Sequence, residues 1–210
     1  MSYRFVRVTS NYPQYINSFY LKHPDVSSES YSKQYNLLTN DSFQLAILYT
    51  KNLNKLGIEA FDIISNAPIL QNSWKKENNL PENITAQELI IEQLKFYKPD
   101  VVWIDDFAII DKQWKNELLK QVPTIKLVCG QVCAPYNDVI AEKFQLFDIM
   151  FTCIPCFKNE LTRLGIKNHL LYHGFDASAL SKLSSNNQYP ESNFLFQDLY
   201  TQALGFMETE

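Results

Sequence analysis

The stretch Lys98-Pro99-Asp100-Val101-Val102-Trp103-Ile104-Asp105-Asp106, KPDVVWIDD, combines a helix stop, a buried strand and a polar exit in nine residues. Pro99 cannot continue a helix, and it disfavours helical backbone at Lys98 before it. Residues 101–104 are apolar without alternation, as in a strand covered on both faces. Two carboxylates follow at once, so the chain leaves the apolar interior at the strand's carboxyl end. A strand covered on both faces needs parallel neighbours joined by helical crossovers. The flanking sequence supplies them.

Just upstream, Thr85-Ala86-Gln87-Glu88 is a capping box that opens the amphipathic run LIIEQLKFY at 89–97. Downstream, Asp111 to Gln121 reads as a helix and TIKLVCG (124–130) as a strand. YNDVIAEKFQ (136–145) reads as a short helix and FDIMFTC (147–153) as another strand. Pro155 suits a first helical turn, with Phe157, Leu161 and Leu164 spaced i, i+4, i+7 before Gly165. NHLLYHGFD (168–176) supplies the last strand and its exit loop.

Toward the N-terminus, Tyr3 to Thr9 is predicted as the first strand. SNYPQYINSF (10–19) is predicted as a loop, marked by Asn11 and Pro13. A helix is expected from Asp41, with Gln44 completing its cap, to Gly57. EAFDIIS (59–65) is the second strand, and 66–83 a short helix followed by a polar loop. Strands and helices thus alternate some six times, which predicts an α/β, doubly wound, mostly parallel sheet with helices on both faces. The expected organisation is one Rossmann-like domain over 1–180, a polar linker at 181–193, and 194–210 as the start of a truncated second domain or a tail packing back.

The composition is that of a globular protein: 210 residues, 46% hydrophobic, 20% charged and a net charge of -4. That charge gives no general attraction to nucleic acid or anionic membrane. No apolar run has signal-peptide or transmembrane character, so a cytoplasmic protein is expected, with peripheral attachment at the inner membrane left open. Neither G-x-G-x-x-G nor G-x-x-x-x-G-K-[ST] occurs, and the loop after the first strand has no glycine. A dinucleotide oxidoreductase and a P-loop enzyme are therefore disfavoured.

In this fold ligands bind beyond the carboxyl ends of the strands. Asp105 and Asp106 fall there, where they can hold a sugar hydroxyl, act as a base or bind a metal, or else cap the helix near Asp111. Gly130 and Gln131 pair close backbone approach with an amide suited to polyols, or form a plain turn. His173 can serve as an acid/base or touch a phosphate, or be a hydrogen-bonded structural residue. Asp176 can line the same exit or cap ASALSKL (177–183). Tyr12, Tyr15, Phe19 and Tyr20 can stack on sugar rings or pack the first loop. The four cysteines form C-x3-C (Cys129, Cys133) and C-x2-C (Cys153, Cys156). Zinc or dithiol chemistry is the sharper reading of them. Cys129 and Cys153 end apolar strands, however, so core packing is expected, with no metal ligand set. Cys156 stands apart in a first helical turn.

The order of segments resembles the N-terminal half of bacterial glycosyltransferases of the GT-B fold, of the "glycosyl transferases group 1" type. The resemblance runs through 4–24, 43–74, 97–106, 125–138, 147–166 and 170–180, about the first 180 residues. It rests most on KPDVVWIDD, on the Gly130-Gln131 strand exit with Pro135, and on the closing Gly174-Phe175-Asp176. It implies a two-domain enzyme in which this half shapes the acceptor side and a second half holds most of the nucleotide sugar, usually without a metal. Asp106 and His173 would then be catalytic candidates. Ser10, Tyr12, Asp105, Gly130, Gln131, Gly174 and Asp176 would contact substrate. No cofactor is expected in this domain, and a nucleotide sugar would be the donor substrate of the full enzyme. NFLFQDLYTQALGF (193–206) resembles the strand that opens the second half, but with Asp198 where glycine or serine is expected. The implied partners are a carbohydrate or glycoconjugate acceptor and a missing or separately encoded donor domain. A non-catalytic carbohydrate-binding or scaffold module is the alternative.

Overall fold

Strand β3 (Val101–Ile104) lies inside a six-stranded sheet with β1 (Arg4–Thr9), β2 (Glu59–Ile64), β4 (Leu127–Gln131), β5 (Ile149–Thr152) and β6 (Asn168–Leu170). The order is β2-β1-β3-β4-β5-β6, and every neighbouring pair is parallel. The computed structural model describes residues 3–41 and 47–174, which belong to one compact unit. The architecture is the doubly wound α/β fold read from the sequence. The expected linker, the residues after it and Asp176 lie outside the described residues.

Register assigns each face. Val6, Val102 and Val128 form one row, and Val8 lies beside Ile63 and Ile104 in the next. These residues meet Ile90, Ile91 and Leu94 of α5 (Ala86–Tyr97) and Trp114 and Leu118 of α6 (Lys112–Gln121). Leu161 of α8 (Pro155–Arg163) and Phe144, in the helical turn 144–146, belong to the same core. Each such aliphatic side chain, once buried, stabilises the fold by about 1.5–3 kcal/mol before its entropy cost. The opposite face carries the row Asp62, Arg7, Trp103, Cys129, Ile149.

The local signals explain most boundaries. In α5, Thr85 Oγ1 accepts the Glu88 N–H at 3.2 Å while Glu88 Oε2 accepts the Thr85 N–H at 2.8 Å, so the capping box is closed. Lys98 ends α5 in the left-handed region (φ 50°), and Pro99 follows. Asp111 caps α6 by accepting the Trp114 N–H at 2.8 Å. Asn137 caps α7 (Asp138–Lys143) by accepting the Ile140 N–H at 3.0 Å.

Two expectations fail. Residues 10–19 are not a loop: Pro13 opens helix α1 (Pro13–Lys22), for which a first-turn proline is preformed. Its buried Tyr15, Ile16, Phe19 and Tyr20 pack with Leu38 of α2 (Tyr31–Asn40) and with Leu70 and Trp74 of α4 (Pro68–Glu77). Asp41 ends α2, its N–H donating to the Leu37 carbonyl at 3.2 Å, and its carboxylate takes the Tyr15 hydroxyl at 2.9 Å; the helix start expected from Asp41 to Gln44 runs, past Asp41 itself, outside the described residues. Helix α3 runs Ile47–Lys55 and stops before Gly57, whose φ is +79°. Leu164, expected on the apolar stripe of α8, is 46% exposed as its C-cap, while Leu161 is fully buried.

The edge strand β2 is shielded by side chains. Asn54 of α3 makes both amide hydrogen bonds to Ala60, at 2.8 and 3.0 Å, in place of a further strand. Among the described residues, no helix is long and apolar enough to cross a membrane.

Candidate functional site

The chain reverses direction across the sheet at β1, which has β2 on one side and β3 on the other. Ligands of such folds sit beyond the strands' carboxyl ends at that switch point. The sheet face beneath it carries buried charges. Arg7 and Asp62 are register partners, each 1% exposed, with Arg7 Nε 2.9 Å from Asp62 Oδ1. Arg7 Nε also lies 3.7 Å from Asp105 Oδ2. Tyr49 of α3 covers the group: its ring stacks on Trp103 at 6.1 Å and lies 5.8 Å from the Arg7 guanidinium carbon. Trp103 Nε1 donates to Asp105 Oδ1. Burial pushes both carboxyls above the usual carboxylate range, and the Arg7 charge offsets only part of that shift. Desolvation sets the direction, and one guanidinium shared between two carboxylates is too little to reverse it.

Asp106 is tied differently. Its Oδ2 accepts the Ser65 hydroxyl at 2.6 Å and its Oδ1 accepts the Ala108 N–H at 3.1 Å, pinning the β2 exit to a turn after β3. Asp111, not Asp106, caps the next helix. The first loop is clamped likewise: the Asn11 N–H donates to Asn66 Oδ1 at 2.8 Å, and Asn66 Nδ2 donates back to the Asn11 carbonyl. Ser10 is exposed, and Tyr12 is 67% exposed with its carbonyl accepting from the first turn of α1. Both are thus surface residues after β1, and neither lines the cleft at the carboxyl ends of β3 and β4. Tyr15, Phe19 and Tyr20 are core residues.

Beside the switch point, a cleft of about 380 Å³ opens at the carboxyl ends of β3 and β4. Asp105, Gln131, Cys133, Tyr136, Asn137 and Ile140 are among its lining residues. Gln131 ends β4, and its Nε2 donates to Cys133 Sγ at 3.3 Å. Gly130 makes no turn. It pairs with Ile104 and Met150 inside the sheet, and an added Cβ would stand 2.7 Å from Met150 Sδ and 2.8 Å from a Phe147 ring carbon. The core thus requires the missing side chain.

The cysteines separate into unlike environments. Cys129 is 2% exposed in β4, and burial pushes its thiol up to about 12. Cys156 is exposed on the first turn of α8. Cys153 is not inside the sheet as expected: it follows β5 half-buried, and its N–H donates to Cys133 Sγ at 3.1 Å. Burial, with the Cys133 thiol beside it, pushes Cys153 up to about 11. His173, exposed in the loop after β6, brings a ring nitrogen within 4.8 Å of both sulfurs. Gly174 is exposed beside it, with open space around its Cα.

The structure therefore gathers Asp105 and Gln131 at one cleft and sets His173 with two cysteines. Ser10 and Tyr12 are exposed outside that cleft's lining, and Asp106 and Gly130 have structural partners. Arg7, Asp62, Asn11, Ser65 and Asn66 were missed by the sequence reading. Arg7 and Asp62 were visible as charges at inward positions of strands, which is the one signal available for them. The chain matches no protein-family model, no curated protein and no solved structure.

Proposed function

We propose that this chain is the acceptor-side domain of a nucleotide-sugar-dependent glycosyltransferase serving surface-polysaccharide or glycoconjugate synthesis. The reading is supported first by the cleft at the ends of β3 and β4, whose lining includes both Asp105 and Gln131. It is supported also by the segment resemblance and by the parallel sheet, which places this cleft at a strand-end crevice. A carboxylate with a raised pKa beside an amide suits a sugar hydroxyl: the amide orients it, and the carboxylate accepts its proton.

In the completed enzyme the acceptor oxygen would bond to the anomeric carbon as the bond from that carbon to the donor phosphate breaks. The nucleoside diphosphate leaves with the bonding pair. In an inverting enzyme the hydroxyl proton goes to Asp105, and in a retaining one to a donor phosphate oxygen. Asp105 fits this role better than Asp106, both of whose oxygens already accept hydrogen bonds.

Saturation-transfer NMR of the 210-residue chain against a panel of glycans tests the reading. A glycan should receive saturation, and Gln131→Ala should weaken its binding roughly tenfold, as expected for one lost hydrogen bond. A panel with no responding glycan, or a response that Gln131→Ala leaves unchanged, overturns it.

A further inference from the structure

We infer that Cys133, Cys153 and His173 form a binding site for a zinc-class divalent metal, with one coordination position left for water or a ligand. One ligand atom from each residue lies within 4.8 Å of the other two. The arrangement follows from the sheet. β4, β5 and β6 are adjacent parallel strands, and each sends one residue from its carboxyl end to the same point. Neighbouring strands run about 4.8 Å apart and β4 and β6 stand about twice that, so the exits after β4 and β6 converge on the end of β5 to bring the three donors together without any local motif.

The chemistry of the set selects the metal. Two sulfurs and an imidazole suit zinc, and three protein ligands with an open fourth position characterise reactive rather than purely structural zinc centres. With metal–sulfur bonds near 2.3 Å and metal–nitrogen bonds near 2.0 Å, tetrahedral donors lie about 3.5–3.8 Å apart. Side-chain rotations closing the present separations by about 1 Å would suffice.

A second observation concerns the surroundings of Cys133. Its sulfur accepts two N–H groups, from the Cys153 backbone at 3.1 Å and from Gln131 Nε2 at 3.3 Å. Donors aimed at a sulfur orient a metal-bound thiolate and stabilise its charge, as outer-shell partners do in metal sites generally. Cys133 also lines the 380 Å³ cleft, so the metal would sit at the wall of that cleft. Neither sequence pair makes the site: Cys129 stays in the core and Cys156 stays on α8, and each pair contributes a single ligand. The assignment is independent of the glycosyltransferase reading.

The test is titration of the full chain, kept reduced with a phosphine, with cobalt(II) as a spectroscopic stand-in for zinc. The expected result is about one equivalent bound, with a sulfur-to-cobalt charge-transfer band that zinc(II) bleaches by displacement. Cys133→Ser, Cys153→Ser and His173→Ala should each abolish or strongly weaken the band, while Cys156→Ser keeps it. Circular dichroism should show each variant folded. The wild-type titration decides even if a variant does not fold: no stoichiometric cobalt or zinc in the reduced chain overturns the site. So does a band that survives all three substitutions in folded protein, or one that Cys156→Ser removes.

Discussion

The two halves of the sheet use polar residues in opposite ways. Around β1, β2 and the start of the β3 exit, charges and amides mostly pair within the fold: Arg7 Nε with Asp62, Asn11 with Asn66, Asp106 with Ser65 and Ala108, while the two Arg7 Nη atoms have no hydrogen-bond partner among the described residues. Around the ends of β4, β5 and β6, the polar and soft donors face a cleft or a loop, half-buried or exposed. The first half spends its polar groups on holding loops in register. The second keeps groups of matched chemistry near a space that a ligand can enter. Asp105 is the hinge of the comparison, since it touches the Arg7 cluster and also lines the cleft.

The sharpest way to break this contrast is Arg7→Met. Methionine matches much of the volume but leaves two carboxylates on the sheet face without their cation. Removing one partner of a buried ion pair costs about 3–5 kcal/mol. Urea denaturation should show a loss of that order, largely recovered in the Arg7→Met, Asp62→Leu double variant. An Arg7→Met variant as stable as wild type would show that the cluster is not closed on itself. Its pairing would then have to be sought in function rather than folding.

Gly130→Ala sharpens the comparison from the other half. If this glycine serves a ligand, its replacement should spare stability. The close Met150 and Phe147 atoms predict instead an overpacked core and a loss of about 1–3 kcal/mol. Thermal unfolding decides between the two, and an unshifted midpoint would return Gly130 to the cleft.

The same contrast sets how much could be read from the sequence. The sheet was legible because strands covered on both faces have a one-dimensional signature: VVWI, LVC and IMF announce themselves without partners. The capping box at Thr85 was equally local, whereas the cap of α6, expected at Asp105 or Asp106, is Asp111. Helices α1 and α2 were not, because Pro13 and Asn11 look like loop markers until the chain's burial of Tyr15 and Phe19 is known. The site residues were legible by type and by placement at strand ends, as with Asp105 and Gln131. Their grouping was not. Spacing along the chain pairs Cys133 with Cys129, whereas the sheet pairs it with Cys153 and His173, twenty and forty residues away. A strand residue and its neighbour two positions on point the same way, but the exit after the strand escapes that periodicity. Asp62 and Arg7 meet for the reverse reason: strict register in adjacent strands, which becomes readable once the order β2-β1 is known.

The smallest expected effect probes Asp105, where the two halves meet. Burial raises its folded-state pKa above the unfolded value, with Arg7 compensating only in part. The protonated form is therefore the one that folding favours. Stability from this group is present in full below the ordinary carboxylate range and is lost as pH rises through the raised folded value. Asp105→Asn keeps an oxygen for Trp103 Nε1 and removes the charge. It should leave stability nearly unchanged in acid and raise the unfolding midpoint modestly at a pH above the raised folded value, where the wild-type carboxylate is ionised. Midpoints measured for both proteins across that range should converge as pH falls and separate as it rises. A variant less stable than wild type at such a pH would mean that Arg7 holds Asp105 as tightly as Asp62. The carboxylate facing the cleft would then belong to the closed half of the sheet, with too little freedom to accept a proton from a substrate.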